Sequence, residues 1–513
     1  MQPIRLVSGF LTVGLWTLAS RLLGFARDIM IAAYLGTGPV AEAFLIAFSL
    51  PNMFRRFFAE GAFNMAFVPM FSKKVEGDEY PLDFARDAFT GLATLLIVLT
   101  VVATIAMPWL VWAMASGFVG DERFDLAVTY GRIAFPYILF ISLAALLSGV
   151  LNSIGRFTAA AAAPVLLNIL FVTAMILGAR AGWSMGLVLS YTVPLAGVAQ
   201  MALVWIAAHR AGYTLIPRRP RMTPELKRLA AIAAPAALAG GVVQINLLIG
   251  RQVASFFDGA VAWLSYADRL YQLPLGVVGI AIGVVLLPDL SRRLRADDTA
   301  GGRDAFNRAC EMSLAMTIPA AVALMVIPIP LVQVLFQRGA FGADDTMNTA
   351  LAVAIYGLGL PSFVMQKTLQ PLFFAREDTR RPFYIALLSL VVNAAIAIGL
   401  SPVIGFVASA IGTTLAGWAT VAVLWWLSRS LGEAAQFDDR FRRRLLRTCA
   451  AAGAMGGTLW LEWQVMVPWL GMPTLRYIAL AVMIVTAMVV YFGVGHLIGA
   501  FRLSEFRRAA RRG

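Results

Sequence analysis

The chain has 513 residues, 60% of them hydrophobic and 14% charged, with a mean hydropathy of +0.78 and a net charge of +14. That balance is too apolar for a soluble globular protein and indicates a polytopic membrane protein. The pI of about 10.3 does not indicate nucleic acid, which would need a basic soluble domain with stacking aromatics. No soluble segment here is long enough for one.

In chain order, apolar runs predict fourteen membrane-spanning helices: 8 to 35, 41 to 71, 88 to 115, 126 to 152, 159 to 179, 184 to 208, 229 to 257, 261 to 290, 309 to 335, 347 to 375, 383 to 401, 404 to 428, 446 to 468 and 474 to 500. About 20 residues suffice to cross a hydrocarbon core of about 30 Å. The opening MQPIR, followed by an Arg-bearing helix, lacks the pattern of a cleaved signal peptide, so no leader is expected to be removed.

Alternating the loops places most of the 42 Lys and Arg residues on one side and leaves only Arg123, Arg180, Arg338 and Arg476 on the other. By the positive-inside rule the rich loops and both termini of this multi-pass membrane protein are cytoplasmic. The tail and the run Arg440 to Arg447 could touch anionic lipid heads; solvated anchoring is the simpler account. Cys310 and Cys449 are far apart in sequence and predict no disulfide, and neither histidine sits in a pattern with metal-ligand spacing.

Charges inside the spans stand out. Arg21, Arg27, Arg55, Arg56, Arg132, Arg251, Arg269 and Lys367 lie within or at the edge of predicted helices, with Asp28, Glu42, Glu60 and Asp268 as acidic counterweights. At a helix centre each charge costs about 2.5–3.5 kcal/mol on insertion scales, so such residues face a bundle interior or a watery cavity. A cationic surplus there suits an anionic substrate. Arg21, Gly24 and Asp28 share one helix face, with Arg27 beside it. Adjacent Arg55 and Arg56 cannot both point into one cleft; either could, the other pairing with Glu60 or reaching the interface. Arg132 and Arg251, near helix ends, suit structural roles. Substrate-binding candidates are therefore Arg21, Arg27, Asp28, Arg55 and Arg269, with Glu60, Asp268, Lys367, Arg56 and Glu42 as secondary cavity or gate candidates.

Pro136 and Pro361, Arg156 and Arg381, and Asn168 and Asn393 share one offset of 225 residues. Helices one to six thus read as duplicated in seven to twelve. An even repeat gives two lobes, 1–215 and 216–435, related by a pseudo-two-fold along the membrane normal, with helices thirteen and fourteen and the tail in 436–513.

The segments SRLLGFARD (20–28), LPNMFRRFFAEGAFNMAFVP (50–69) and YADRLYQLPLGVVGIAIGVVLLP (266–288) resemble the MurJ (MviN) family of bacterial lipid II flippases, and the resemblance extends over essentially the whole chain. It implies a transporter, not an enzyme. Such a protein moves undecaprenyl-pyrophosphate-linked disaccharide-pentapeptide to the outer leaflet by alternating access for peptidoglycan synthesis, with membrane lipids and the cell-wall synthesis machinery as candidate partners. Arg21, Arg27, Arg55 and Arg269 match that family's cavity arginines, and Asp28 and Glu60 match neighbouring acids; helices thirteen and fourteen match a pair lining a groove for the prenyl tail. Guanidinium forks suit pyrophosphate oxygens.

The sodium site of some members, on helices seven, eleven and twelve, has no acidic counterpart here, where only Gln244, Asn246, Asn393, Thr413 and Thr414 are offered. Gln272 also stands where some relatives carry a glutamate. No cofactor is called for; the drive is the membrane potential or a monovalent ion. Alternatives are a flippase for another polyprenyl-linked glycan and a multidrug antiporter of the same exporter superfamily. A glycosyltransferase lacks its acid pair or base on a sizeable polar loop, and a scaffold has no need for intramembrane charge.

Overall fold

The computed structural model describes residues 6–56, 62–77, 79–296 and 298–501. The described chain is helical, in two compact units, Met1–Ala262 and Trp263–Gly513. The first holds α1 (Leu6–Leu35), α2 (Pro39–Arg55), α3 (Ala62–Glu76), α4 (Pro81–Ile105), α5 (Met107–Met114), α6 (Glu122–Ala134), α7 (Tyr137–Ser153), α8 (Thr158–Ala181), α9 (Met185–Arg210) and α10 (Pro224–Ala254). Next, α11 (Ala260–Arg295) begins in the first unit and continues into the second. There follow α12 (Thr299–Val326), α13 (Pro328–Phe336), α14 (Ala343–Phe374), α15 (Arg380–Ile404), α16 (Val407–Ser428), α17 (Asp439–Leu470) and α18 (Leu475–Leu497).

Among the described residues, nine helical stretches are long and apolar enough to cross a membrane. The remaining predicted spans also fall on helices, namely α1, α2 with α3, α10, α11 and α17, which carry most of the internal charge. Among the described residues, three predicted spans change helix beside a proline. Ala106 ends α4 two residues before Pro108, Phe135 and Pro136 separate α6 from α7, and Ile327 precedes Pro328. Proline supplies no N–H and disfavours helical geometry in the residue before it.

The two units share a packing pattern. In the first, α9 packs on α7 and α8; in the second, α16 packs on α14 and α15. These are the segments in which the 225-residue repeat was found. Asn168 on α8 and Asn393 on α15 are both buried. Outside the repeat, α17 packs on α18 and α12. Both cysteines are free thiols, Cys310 buried and Cys449 exposed.

The contact boundary does not coincide with the lobe boundary read near residue 215. Helix α10 packs on α3, α4 and α5 of the first unit. Its C-terminal end is pinned there: the Gln252 side chain accepts from the Ser116 N–H at 3.0 Å, and the Ser255 hydroxyl accepts from the Gly117 N–H at 3.0 Å. A Cβ at Gly117 would lie 2.5 Å from the Ser255 carbonyl carbon, so only glycine permits this approach.

Next to that junction lies a buried ion cluster. Arg123, at the start of α6, stands in the sequence among the few loop charges of the side opposite the termini, and it is only 5% exposed. Its guanidinium meets Glu42 at 2.9 Å, Asp121 at 2.5 Å and Asp258 at 2.9 Å, and lies 4.6 Å from the Phe118 ring centroid. Glu42, on α2 and 1% exposed, also accepts the Val261 N–H at 3.0 Å, capping the first turn of α11. One arginine thus ties together α2, α6 and the turn between α10 and α11. Removing one partner of such a buried pair strands the other charge, which costs about 3–5 kcal/mol. Arg123→Ala is expected to lower the thermal unfolding temperature of the purified protein well below that of Arg180→Ala, an exposed control; equal temperatures would refute the assignment.

Asp121 caps the α6 N-terminus. Burial pushes its carboxyl up, but hydrogen bonds from the Arg123 side chain and N–H outweigh that and hold it below the usual carboxylate range. Because the folded value is depressed, its contribution is present above the unfolded value of about 3.9 and disappears as pH falls through the folded one. The stability difference between wild type and Asp121→Asn should therefore be constant near neutrality and shrink below about pH 4, as read by melting temperature against pH.

Candidate functional site

The candidate charges of the first unit sit on α1 and α2. On α1 the apolar pattern is broken by Arg21, Arg27 and Asp28. Arg27 and Asp28 are each 8% exposed. Adjacent residues point about 100° apart on a helix, but the long arginine side chain folds back: its Nε and Nη2 donate to Asp28 Oδ1 at 3.0 and 2.8 Å. Its Nη1 donates to Asn168 Oδ1 at 3.1 Å, and the guanidinium lies 5.5 Å from the Phe171 ring centroid. Asn168 in turn donates to the Ser20 carbonyl at 2.9 Å. The arginine fork is therefore oriented by a carboxylate, an amide and an aromatic face.

Asn168 and Phe171 were not among the sequence candidates. Asn168 was visible as a repeat marker, and one turn of α8 separates it from Phe171. Arg21, nearly two turns before Arg27 on α1, is half-buried. Arg55 is half-buried at the end of α2, whereas Arg56 is exposed and donates to Gln244 of α10 at 3.4 Å. The two neighbours thus differ in burial, and Arg56 engages α10. Glu60 lies outside the described residues.

Glu42 does not stand free in a polar space: it belongs to the Arg123 cluster, with its carboxylate oxygens directed at a guanidinium and a helix N-terminus. Of the two secondary roles weighed for it, cavity or gate, this position places Glu42 at the junction of α2, α6 and α11.

In the second unit, Asp268 and Arg269 are half-buried on α11, and Asp268 accepts from Gln272 one turn on. Gln272 thus occupies the Asp268 carboxylate with a neutral donor. Tyr271 packs against Tyr356 and Phe363 of α14, with ring centroids 5.0 and 5.5 Å away. Lys367 is exposed on α14. Of the polar residues weighed for sodium, Thr413 donates to the Ser409 carbonyl one turn back and Thr414 to that of Ile355 on α14, both at 3.0 Å, while Gln244 accepts from Arg56. No group of three or more His, Cys, Asp or Glu side chains with metal-binding geometry occurs among the described residues.

The family model described as lipid II flippase MurJ matches residues 31–503. A probable lipid II flippase MurJ of Rhizobium meliloti (strain 1021) is 44% identical, covering 99% of this chain and 97% of the relative. A lipid II flippase MurJ of Burkholderia cenocepacia is 35% identical over 99% of this chain and all of its own length. Among solved structures, lipid II flippase MurJ in an inward closed conformation matches with a TM-score of 0.79 at 24% identity, covering 94% of this chain and 98% of that one. An inward-facing multidrug transporter of the MATE family matches with a TM-score of 0.66 at 16% identity, covering 81% and 95%. A family match over nearly the whole length, with relatives 35–44% identical across 99% of the chain, places this protein in the lipid II flippase MurJ family.

Proposed function

We propose that this protein is a lipid II flippase of the bacterial inner membrane, moving the lipid-linked peptidoglycan precursor from the inner to the outer leaflet. The observation that carries the proposal is the family match over residues 31–503. It is a transporter: the substrate crosses without a covalent step. Fourteen spans, in two lobes over 1–215 and 216–435 and a final segment 436–513, put both termini in the cytoplasm and follow from the loop charges and the internal repeat.

Arg21, Arg27, Arg55 and Arg269 grip the pyrophosphate and headgroup, with Asp28 orienting Arg27. The supporting geometry is the fixed fork of Arg27, whose Nε and both Nη groups are already aligned by Asp28 and Asn168. A pre-oriented guanidinium loses less side-chain entropy on meeting a phosphate than a free one. Arg56, Glu60, Asp268 and Lys367 adjust the charge around that grip, and alternating access carries it between the two leaflets.

The drive is electrical or a monovalent ion. Each charge moving across the membrane is worth about 2.3 kcal/mol per 100 mV. Exporting a pyrophosphate anion from a negative interior runs downhill. If the arginines neutralise the headgroup in the loaded state, the potential instead favours the return of the empty cationic cavity. Dissipating the potential should then accumulate the outward-open form, measured by cysteine accessibility in whole cells. Unchanged accessibility, together with activity that tracks sodium, would replace the electrical drive with an ionic one.

The direct test is transbilayer movement of lipid II in cells depleted of their own flippase, at matched membrane abundance. Wild type should restore movement, and Arg21→Ala, Arg55→Ala, Arg269→Ala and Arg27→Lys should each reduce it by about tenfold or more, one charge-assisted phosphate contact apiece. Arg27→Lys keeps the charge and removes the fork. A wild type that is abundant yet inactive on lipid II, but active on another polyprenyl-linked glycan, would reassign the substrate.

A further inference from the structure

In the first unit the segment 211–223 joins the end of α9 to the start of α10 as a non-helical strap. It is fastened along its length. Arg86 Nε donates to the Thr214 carbonyl at 3.1 Å, and the Trp205 indole N–H donates to that of Leu215 at 3.2 Å. Arg218 turns inward: its backbone N–H donates to the Thr90 hydroxyl at 3.1 Å, and its guanidinium reaches Asp87 at 2.7 Å and Asp83 at 3.0 Å on α4. Leu215 is buried.

The side chains left outside are of two kinds. Ile216 is 58% exposed and Met222 65% exposed. Between them Arg219 and Arg221 are exposed, and among the described residues neither makes a hydrogen bond or an ion pair. Pro217 and Pro220 flank these positions and restrict the backbone there, which lowers the entropy lost when the two cations meet a ligand. We infer that this strap docks on the membrane surface, Arg219 and Arg221 binding the phosphates of anionic phospholipids while Ile216 and Met222 enter the headgroup boundary. The contact is separate from any site for the transported substrate.

Position and charge favour a lipid surface over a soluble acidic partner. The strap joins the ends of two helices read as membrane spans, so it lies at the level where those spans leave the bilayer. Trp205, whose indole holds the Leu215 carbonyl, belongs to a residue type enriched at that level. Segment 210–228 carries six Lys and Arg against one acid, Glu225, and that acid lies 3.8 Å from Lys74. Asp83 and Asp87, beneath the strap, are engaged by Arg218. Basic side chains interleaved with apolar ones bind membranes by adding buried apolar area to attraction for anionic headgroups.

The test is hydrogen–deuterium exchange, read by mass spectrometry, on the full-length protein in nanodiscs of phosphatidylglycerol or of phosphatidylcholine. Among the described residues the amides of Arg219, Arg221 and Met222 donate no hydrogen bond, so their exchange reports what covers them. One arginine near an anionic surface is worth about a fivefold preference, so exchange over 219–222 should be slower in phosphatidylglycerol by about tenfold or more. Arg219→Gln with Arg221→Gln should abolish that difference, whereas Arg219→Lys with Arg221→Lys, which keeps the charge, should retain most of it. Arg442→Gln with Arg443→Gln removes equal charge from exposed positions on α17 and should leave the difference within about twofold. Ile216→Ser with Met222→Ser should speed exchange in both lipids. The inference is overturned if wild type exchanges equally in the two lipids, if the Arg442 and Arg443 pair matters as much as the strap pair, or if the Ile216 and Met222 pair changes nothing. Complete reversal by millimolar inorganic phosphate would overturn it in favour of a free anion, and slowing by a soluble acidic peptide but not by phosphatidylglycerol would overturn it in favour of a protein partner.

Discussion

A guanidinium in an apolar bundle must be matched by oxygen atoms or water, and that constraint shapes the described structure more than any other. Its ion will not shed a proton, so the protein cannot escape the desolvation cost by neutralising it. Arg27 and Arg123 show the same solution at different places. Each takes a carboxylate from its own chain neighbourhood, Asp28 or Asp121, then recruits distant partners and an aromatic face. For Arg27 the distant partner is Asn168, which fixes α1 against α8. For Arg123 the partners are Glu42 and Asp258, which fix α6 against α2 and the turn before α11. Charge compensation therefore doubles as helix registration.

The two clusters differ in what they leave available. Around Arg123 three carboxylates meet one cation, so the local balance is anionic and an incoming phosphate would be repelled. Around Arg27 one carboxylate and one neutral amide meet one cation, and Arg21 lies further along the same helix. The Arg27 group is thus close to neutral by itself, with Arg21 adding a positive charge on the same helix. The surroundings of Glu42 and Asp28 differ in this way, although in the sequence both are simply acids inside apolar runs.

Much of the architecture was legible in one dimension because lipid imposes one-dimensional rules. Apolar runs mark helices, and prolines mark their breaks, as at Pro108, Pro136 and Pro328. The chemistry of the arginines was legible as a class. Their partners were not. Arg123 read as a loop charge because it stands at a span boundary, and its partners Glu42 and Asp258 are distant in sequence and meet it only through packing. Asn168 drew notice through the repeat, a regularity of descent, and not through its bond to Arg27, which depends on how α8 crosses α1. Arg55 and Arg56 could not be told apart from the sequence since adjacent helical positions differ only in direction; the bond from Arg56 to Gln244 separates them.

The position of α10 shows why a repeat and a packing unit need not share a boundary. A duplicated segment begins where the gene-level copy begins, while a compact unit ends where contacts end. Helix α10 lies beyond the lobe boundary expected from the sequence repeat, yet it packs on α3, α4 and α5, and its last turn is held by Ser116 and Gly117. The closeness of Gly117 to Ser255 leaves no room for sliding without loss of those bonds. The turn that follows is held at Asp258 by Arg123 and at Val261 by Glu42. Any rearrangement that separates α11 from the first unit must therefore strand a buried arginine or a buried glutamate, or carry both along. Breaking that cluster is costly enough to keep the two ends of the turn together, so motion of α11 is expected to begin beyond Val261, within its own long, proline-bearing length.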